Sequence, residues 1–326
     1  MEVLVTIPLP DDLMASIEGQ HRVTIATSTF PVSSEELRAL IRGKHGLLCT
    51  ITDAVDRALL KEADELMVVA NYGVGYDNID VASCTSKGIL VTNTPDVLTD
   101  ATADLTMALI LAVARRLIEG DQMVREGRFG SWKPFGFLGT EVCGKTLGIV
   151  GLGRIGKAVA RRARGFSMTV LYYKRNRIPG PEEERLGVIY RDLKDLLRES
   201  DFVSLHVPLT DQTYHMIGPV ELEAMKEGAF LVNTSRGAVV AEQALVEALK
   251  SGSIAGAALD VYEHEPRVHP ELISMKNTVL LPHLGSATSE TRRKMAERAV
   301  ANLLEALGNK RPRDCLNWDA VKGLYT

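Results

Sequence analysis

The chain has 326 residues, of which 45% are hydrophobic and 25% charged, and its formal net charge is −4. At roughly 100–200 residues per domain this is material for two domains with real cores, which excludes a disordered, collagen-like or disulfide-stapled chain. An acidic balance gives no global attraction for nucleic acid or an anionic membrane, and neither is expected as a partner.

The N-terminus places an acid at position 2 and reaches Pro8 after one short apolar run, unlike a secretory signal. Predicted strands follow at 3–7, 23–26, 46–51, 66–70 and 89–92, with helical stretches such as 33–42 between them. A long helical pattern covers 102–125. Its apolar stretch, 105–114, carries Thr106 and is about half of the ~20 residues needed to cross a bilayer. A cytoplasmic location is the expectation.

A second series of strands is predicted at 146–150, 169–173, 202–207, 230–233, 257–261 and 278–281, and a helix at 289–307. Strands alternating with helices imply an α/β fold with parallel sheets buried on both faces. Two Rossmann-like, doubly wound domains with an active-site cleft between them are the simplest account. Cys49, Cys84, Cys143 and Cys315 are too far apart for a local CxxC pair, and read as ordinary buried or partly buried thiols. No metal site is expected.

Gly151, Gly153 and Gly156 form GxGxxG directly after a predicted strand and at the start of a helical pattern. That context suits a dinucleotide: the glycines permit a tight turn and close backbone approach, and the helix N-terminus presents N–H groups to a pyrophosphate. At the end of the next strand, where an acid would hold the ribose of NAD, stand Lys174, Arg175 and Arg177. Cations there attract a 2′-phosphate, which favours NADP(H), with NAD(H) possible if the loop is merely a solvated basic turn.

Arg236, Glu265 and His283 each fall near the carboxyl end of a predicted strand, the edge at which open α/β sheets bind ligands. An imidazole can deliver a proton near neutral pH, a carboxylate can keep it charged, and a guanidinium can grip a carboxylate through two donors. Spacing alone leaves open a surface ion pair for Arg236, a plain loop acid for Glu265, and His264 as the active histidine.

At these residues the sequence resembles the D-isomer-specific 2-hydroxyacid dehydrogenases, in particular their glyoxylate and hydroxypyruvate reductase branch. The matching stretches are NYGVGYDNID (71–80), GLGRIG (151–156), LLRESDFVSLHVPLT (196–210), LVNTSRGAVV (231–240), AALDVYEHEP (257–266) and LLPHLGSAT (280–288). The resemblance implies that Arg236, Glu265 and His283 are catalytic, that the backbone of Val74 and Gly75 helps Arg236 and His283 bind substrate, and that Asp260 contacts the nicotinamide. Asp260 reads equally as a strand-end cap. It further implies cofactor contacts at Thr102, Arg154, Ile155, Val207, Pro208, Thr213, Thr234, Ser235 and His283. Also implied are a flavodoxin-like substrate domain of 1–99 with 286–326, a dinucleotide-binding domain of 100–285, and a homodimer formed through the latter.

The expectation is therefore hydride transfer between NAD(P)H and a small 2-keto or 2-hydroxy acid. Competing readings are a D-3-phosphoglycerate or D-lactate type of dehydrogenase, or a dinucleotide-sensing protein like the corepressors called C-terminal-binding proteins, since fold alone does not establish activity.

Overall fold

The computed structural model of the chain describes residues 1–26 and 31–324. It divides into two compact units, one of Met1–Leu98 with Thr288–Thr326 and one of Thr99–Ala287.

In the first unit, strands β1 (Glu2–Val5), β2 (Arg22–Ile25), β3 (Gly46–Thr50), β4 (Val68–Tyr72) and β5 (Leu90–Thr92) form a parallel sheet in the order β2-β1-β3-β4-β5. Alternate residues of a strand point to opposite faces. Leu4, Leu47 and Val69 accordingly pack on one side with Leu37, Ile41 and Leu60, while Val3, Val5, Leu48 and Val68 pack on the other with Val300 and Leu303. The last two belong to the helix Ser289–Leu307, so the end of the chain returns to cover the sheet made by its beginning. The approach is close: a Cβ at Gly46 would lie 2.9 Å from Leu303 Cδ1. Full burial of a leucine such as Leu303 contributes about 1.5–3 kcal/mol.

The second unit holds β6 (Thr146–Val150), β7 (Thr169–Tyr173), β8 (Val188–Tyr190), β9 (Phe202–Leu205), β10 (Phe230–Asn233), β11 (Gly256–Leu259) and β12 (Thr278–Leu280), ordered β12-β11-β10-β9-β6-β7-β8 and parallel throughout. Strand order reverses at β6/β9, as it does at β1/β3 in the first sheet. Such switch points open a crevice at the carboxyl ends of the strands. The doubly wound α/β architecture expected from the sequence is present in both units.

Several local expectations are corrected. The pattern at 102–125 is two helices, Thr99–Arg115 and Leu117–Arg125, with Arg116 between them at φ 54°. The Ala114 carbonyl, which a continuous helix would use internally, instead accepts Thr140 N–H at 2.8 Å, and Gly139 lies so close that a Cβ would sit 2.6 Å from the same oxygen. Strand β8 was not expected: it has three residues and lies at the sheet edge, too short for a periodic signal. The predicted strands at 202–207 and 257–261 stop at Leu205 and Leu259, which leaves their last residues in loops. Cys49 and Cys84 are buried and Cys315 partly so, but Cys143 is exposed, in the turn ahead of β6. Among the described residues no helix is long and apolar enough to cross a membrane.

Candidate active site

The turn after β6 is shaped by its glycines. Gly151 has φ 98°, and a Cβ there would meet the His206 carbonyl oxygen at 2.5 Å; a Cβ on Gly156 would meet the Gly151 oxygen at 2.3 Å. Both lie where only hydrogen fits. Gly153 is different, for its missing side chain faces open space, beside the first turn of the helix Arg154–Gly165, which no side chain caps. A backbone left bare at an uncapped helix start is a cradle that a Cβ would fill, and it fits the pyrophosphate of a dinucleotide. Arg154 is exposed at this edge and Ile155 half-buried.

The basic residues after β7 are not equivalent. Arg177 gives two hydrogen bonds to Glu183, at 2.8 and 2.7 Å, and Glu183 Oε1 also accepts Tyr172 Oη–H at 2.5 Å. These bonds, with the Arg177 charge and against a smaller effect of burial, hold the Glu183 carboxyl down at about 2. Arg175 donates to Gln212 Oε1 at 2.9 Å, and Lys174 lies near enough to help lower Glu182, whose main partner is Lys157. Lys174 and Arg175 are thus the cations with least commitment to a carboxylate.

Across the carboxyl edge, Thr213 Oγ1 donates to the Pro208 carbonyl at 2.6 Å and accepts Thr210 N–H, which shapes the turn beyond Val207. Thr234 Oγ1 lies 3.0 Å from Thr106 Oγ1, and Ser235 binds Asn233 Oδ1 through both N–H and Oγ. Asn233 Nδ2 also donates to the Arg236 carbonyl, so the end of β10 is tied into the loop that carries Arg236.

His283 and Glu265 meet: Nδ1 and Oε2 are 2.9 Å apart, with the two side chains 28% and 35% exposed. Burial raises the Glu265 carboxyl, but the His283 hydrogen bond, the charge of that ring, Tyr262 N–H and Arg236 together outweigh it and leave it below the usual range. Arg236 therefore acts on the same carboxylate that holds the imidazole. His283 has φ 57°, a strained conformation for a non-glycine residue and one that clusters at functional sites. Asp260 maintains it: the Asp260 carbonyl accepts His283 N–H, and its two carboxylate oxygens accept Leu284 N–H at 2.6 Å and Gly285 N–H at 2.8 Å. Burial raises the Asp260 carboxyl despite these bonds. Thr102 closes the clamp through Oγ1 to the Gly285 carbonyl at 2.9 Å. The strand-end cap is thus the geometry observed for Asp260.

The other histidines of this edge differ. His264 is exposed, its carbonyl accepting Arg267 N–H. Desolvation pushes the His206 ring down to about 3, and it lies 2.9 Å from Ser204 Oγ. A ring held neutral is a poor proton donor near neutral pH. Of these three histidines only His283 is hydrogen-bonded to a carboxylate among the described residues, the His264 ring acting on Glu242 and Glu263 by charge alone.

In the first unit the turn after β4 is fixed by side chains that the sequence reading passed over. The Gly73 carbonyl accepts Thr94 N–H at 2.9 Å, and the Val74 carbonyl accepts Asn93 Nδ2 at 2.8 Å. Asn71 Nδ2 reaches the Gly75 carbonyl at 2.7 Å. In a trans peptide C=O and N–H point opposite ways. Pinning the Gly73 and Val74 carbonyls inward therefore turns the Val74 and Gly75 N–H groups outward, the arrangement that receives an anion. Asn71 and Asn93, buried amides among apolar strand ends, were the available signal.

Comparison with known proteins shows what the chain is similar to in sequence and fold. Residues 107–285 match the family described as D-isomer specific 2-hydroxyacid dehydrogenase, NAD binding domain. The chain is 50% identical over 324 residues to a glyoxylate reductase of Thermococcus litoralis, covering 98% of each. Its fold superimposes on the TT0316 protein of Thermus thermophilus with a TM-score of 0.90, at 44% identity, over 97% of this chain and 100% of that one. An NADPH-dependent glyoxylate/hydroxypyruvate reductase of Sinorhizobium meliloti, solved with NADP and malonate, follows at TM-score 0.86 and 33% identity, over 97% of this chain and 96% of that one.

The fold and the glycine turn define a nicotinamide-dinucleotide oxidoreductase. The chain belongs to the D-isomer-specific 2-hydroxyacid dehydrogenase family, whose members act on the CH–OH group of small 2-hydroxy acids or, in reverse, on the matching 2-keto acids.

Proposed function

We propose that this chain reduces glyoxylate and hydroxypyruvate with NADPH in preference to NADH. The observation that carries the reading is the 2.9 Å contact of His283 Nδ1 with Glu265 Oε2, at a carboxylate that Arg236 also influences. The names of the relatives at about half identity support the choice of substrate.

The bound dinucleotide supplies the hydride. Arg236 grips the carboxylate of the keto acid through paired N–H donors and draws electron density from the adjacent carbonyl, with the Val74 and Gly75 amides as further anion donors. His283 gives a proton to the carbonyl oxygen as negative charge grows there, and Glu265 accepts Nδ1–H so that Nε2 is the nitrogen presented to substrate. Gly151, Gly153, Gly156, Arg154 and Ile155 hold the diphosphate. Thr102, Val207, Pro208, Thr213, Thr234, Ser235, Asp260 and His283 complete the cofactor's surroundings. The direct test is NADPH oxidation, followed by its absorbance, on adding glyoxylate, hydroxypyruvate, pyruvate or phosphohydroxypyruvate. Fastest turnover is expected on the first two. Dinucleotide binding without turnover on any of them would overturn the enzyme reading in favour of a sensor.

For cofactor choice, Lys174 and Arg175 are the proposed phosphate readers, and the engagement of Arg177 with Glu183 makes it a support for their loop. Replacing Lys174→Asp together with Arg175→Ser should raise the KM for NADPH about tenfold to a hundredfold, because a hydrogen bond to a charged group contributes about 1.5–3 kcal/mol. The KM for NADH should stay or fall. Unmoved selectivity would clear the loop of this role.

A homodimer is part of the same reading. Supporting it, the segment that follows the break at Arg116 exposes Leu117, Val124, Phe129, Trp132 and Phe135, the last two at 79% and 90%. Apolar exposure of this kind marks association surfaces. Sedimentation equilibrium should return twice the chain mass, and Trp132→Ser with Phe135→Ser should return one; a wild-type monomer would refute it.

A further inference from the structure

Arg236 and Glu265 lie on different loops, after β10 and β11, and the two backbones are pressed together at Gly237. A Cβ built there would fall 1.8 Å from the Tyr262 carbonyl carbon and 2.3 Å from Glu263 N. Glycine is the residue type that allows this contact, one position beyond Arg236 and against the Tyr262–Glu263 peptide, whose own residue Tyr262 donates its N–H to Glu265 Oε1 at 3.0 Å.

Next to the contact, two acids exchange hydrogen bonds with each other's backbone. Glu242 N–H donates to Glu263 Oε2 at 3.1 Å, and Glu263 N–H donates to Glu242 Oε1 at 3.2 Å. The remaining oxygen, Glu263 Oε1, meets His215 Nε2 at 2.7 Å, and His215 N–H donates to the Ala238 carbonyl at 2.8 Å. Glu263 and Glu242 are mostly buried, their exposures 12% for the side chain and 8% for the whole residue. Two carboxylates withdrawn from water beside one another are an expensive way to gain stability, since apolar residues of similar volume do as well or better. What they supply is direction: each bond fixes one loop relative to another.

We propose that Glu263, through Glu242 and His215, is a positioning residue that sets the spacing between Arg236 and Glu265, with Gly237 as the bearing on which the two loops meet. The proposal rests on the reading of Arg236 and Glu265 given above. The two carboxylate oxygens of Glu263 are engaged by His215 and Glu242 N–H, so that it acts by holding the Tyr262–Glu263 peptide against the Arg236 loop. A shift of about 1 Å in a catalytic geometry can cost on the order of a hundredfold in rate.

The experiment compares Glu263→Ala, Glu263→Gln and His283→Gln in the full chain, reading kcat, the KM for glyoxylate and, separately, NADPH dissociation by fluorescence. Glu263→Ala should lose about tenfold to a hundredfold in kcat/KM for glyoxylate while NADPH binding stays within about twofold. Glu263→Gln should recover most of the loss, since its amide oxygen still accepts Glu242 N–H. Wild-type kcat/KM in Glu263→Ala, or an equal loss in Glu263→Gln, overturns the proposal, as does NADPH binding that weakens in step with turnover. His283→Gln separates the two levels. If it is inactive while Glu263→Ala is normal, only the positioning role fails; if it keeps full turnover, the reading of the site fails and this inference with it.

Discussion

In the turn after β4, at the carboxyl edge of the first sheet, the groups that fix the backbone are neutral: Asn71, Asn93 and Thr94 N–H take the three carbonyls of the Gly73–Gly75 turn, while the buried carboxylate nearby, Asp53, is engaged by Thr6 and Thr50. At the carboxyl edge of the second sheet the polar groups are charged, with Arg236 and His283 both acting on Glu265 and Asp260 clamping the backbone at His283, the residue with positive φ. The two edges share a parallel architecture and differ in chemistry. Peptide dipoles oriented by buried amides can hold an anion at any pH, whereas only a titrating group can pass a proton to it. Under the proposed reading a keto acid needs both kinds of group; each within its own unit, the first is fixed by pinned carbonyls and the second by opposing charges.

The largest break in this comparison is His283→Gln. The amide keeps much of the polar shape but cannot deliver a proton, so turnover should fall by about 10²–10⁴ with NADPH binding nearly intact. Stopped-flow hydride transfer at saturating NADPH checks it, and a rate near wild type would make the charged edge no more chemical than the neutral turn.

A smaller effect is expected at the neutral turn. Asn93→Ala leaves the Val74 carbonyl without its donor, at about 1–3 kcal/mol in urea-measured stability. Because the turn loses its orientation and no proton donor is removed, the KM for glyoxylate should rise severalfold while kcat changes little. A fall in kcat with KM unmoved would reverse the division of labour between the edges.

The smallest effect sharpens the charged side. Glu183 stands at about 2 when folded against 4.5 ordinarily, mainly through Arg177 and Tyr172. Its folded pKa lies below its unfolded one, so its contribution is complete above 4.5 and disappears as pH falls toward about 2. The stability difference between wild type and Glu183→Gln should shrink across that window in denaturant titrations. The pair is partly solvent-screened, with Arg177 61% exposed, and the difference should be modest, about 0–1 kcal/mol at neutral pH. A difference constant with pH would show that the carboxylate charge contributes nothing.

Much of this was legible along the chain. Strands β6, β7 and β10 and the helix Ser289–Leu307 have the limits expected from apolar runs and turn residues. The glycine turn was visible because its spacing is local, whereas Arg236, Glu265 and His283 stood among other polar residues, such as Asn233, Glu263 and His264, and were singled out by the family resemblance. Less visible were features whose causes lie far off in sequence. The helix break at Arg116 depends on residues 139 and 140 returning to the Ala114 carbonyl, and the role of Asn93 depends on a turn nearly twenty residues earlier. Arg177 counted as one more cation until Glu183 and Tyr172 were seen to engage it.

Sequence by itself determined the class of fold, the dinucleotide turn and the identity of the charged groups, because side-chain period, glycine spacing and residue chemistry are properties of short stretches. Tertiary structure decided which charges are committed to one another, which carbonyls are pinned so that amides face outward, and where Gly237 lets two loops touch. Those outcomes depend on partners brought together only when the sheets assemble, and hydrogen bonds and close contacts have energies set by distances of a few ångströms that no local pattern records.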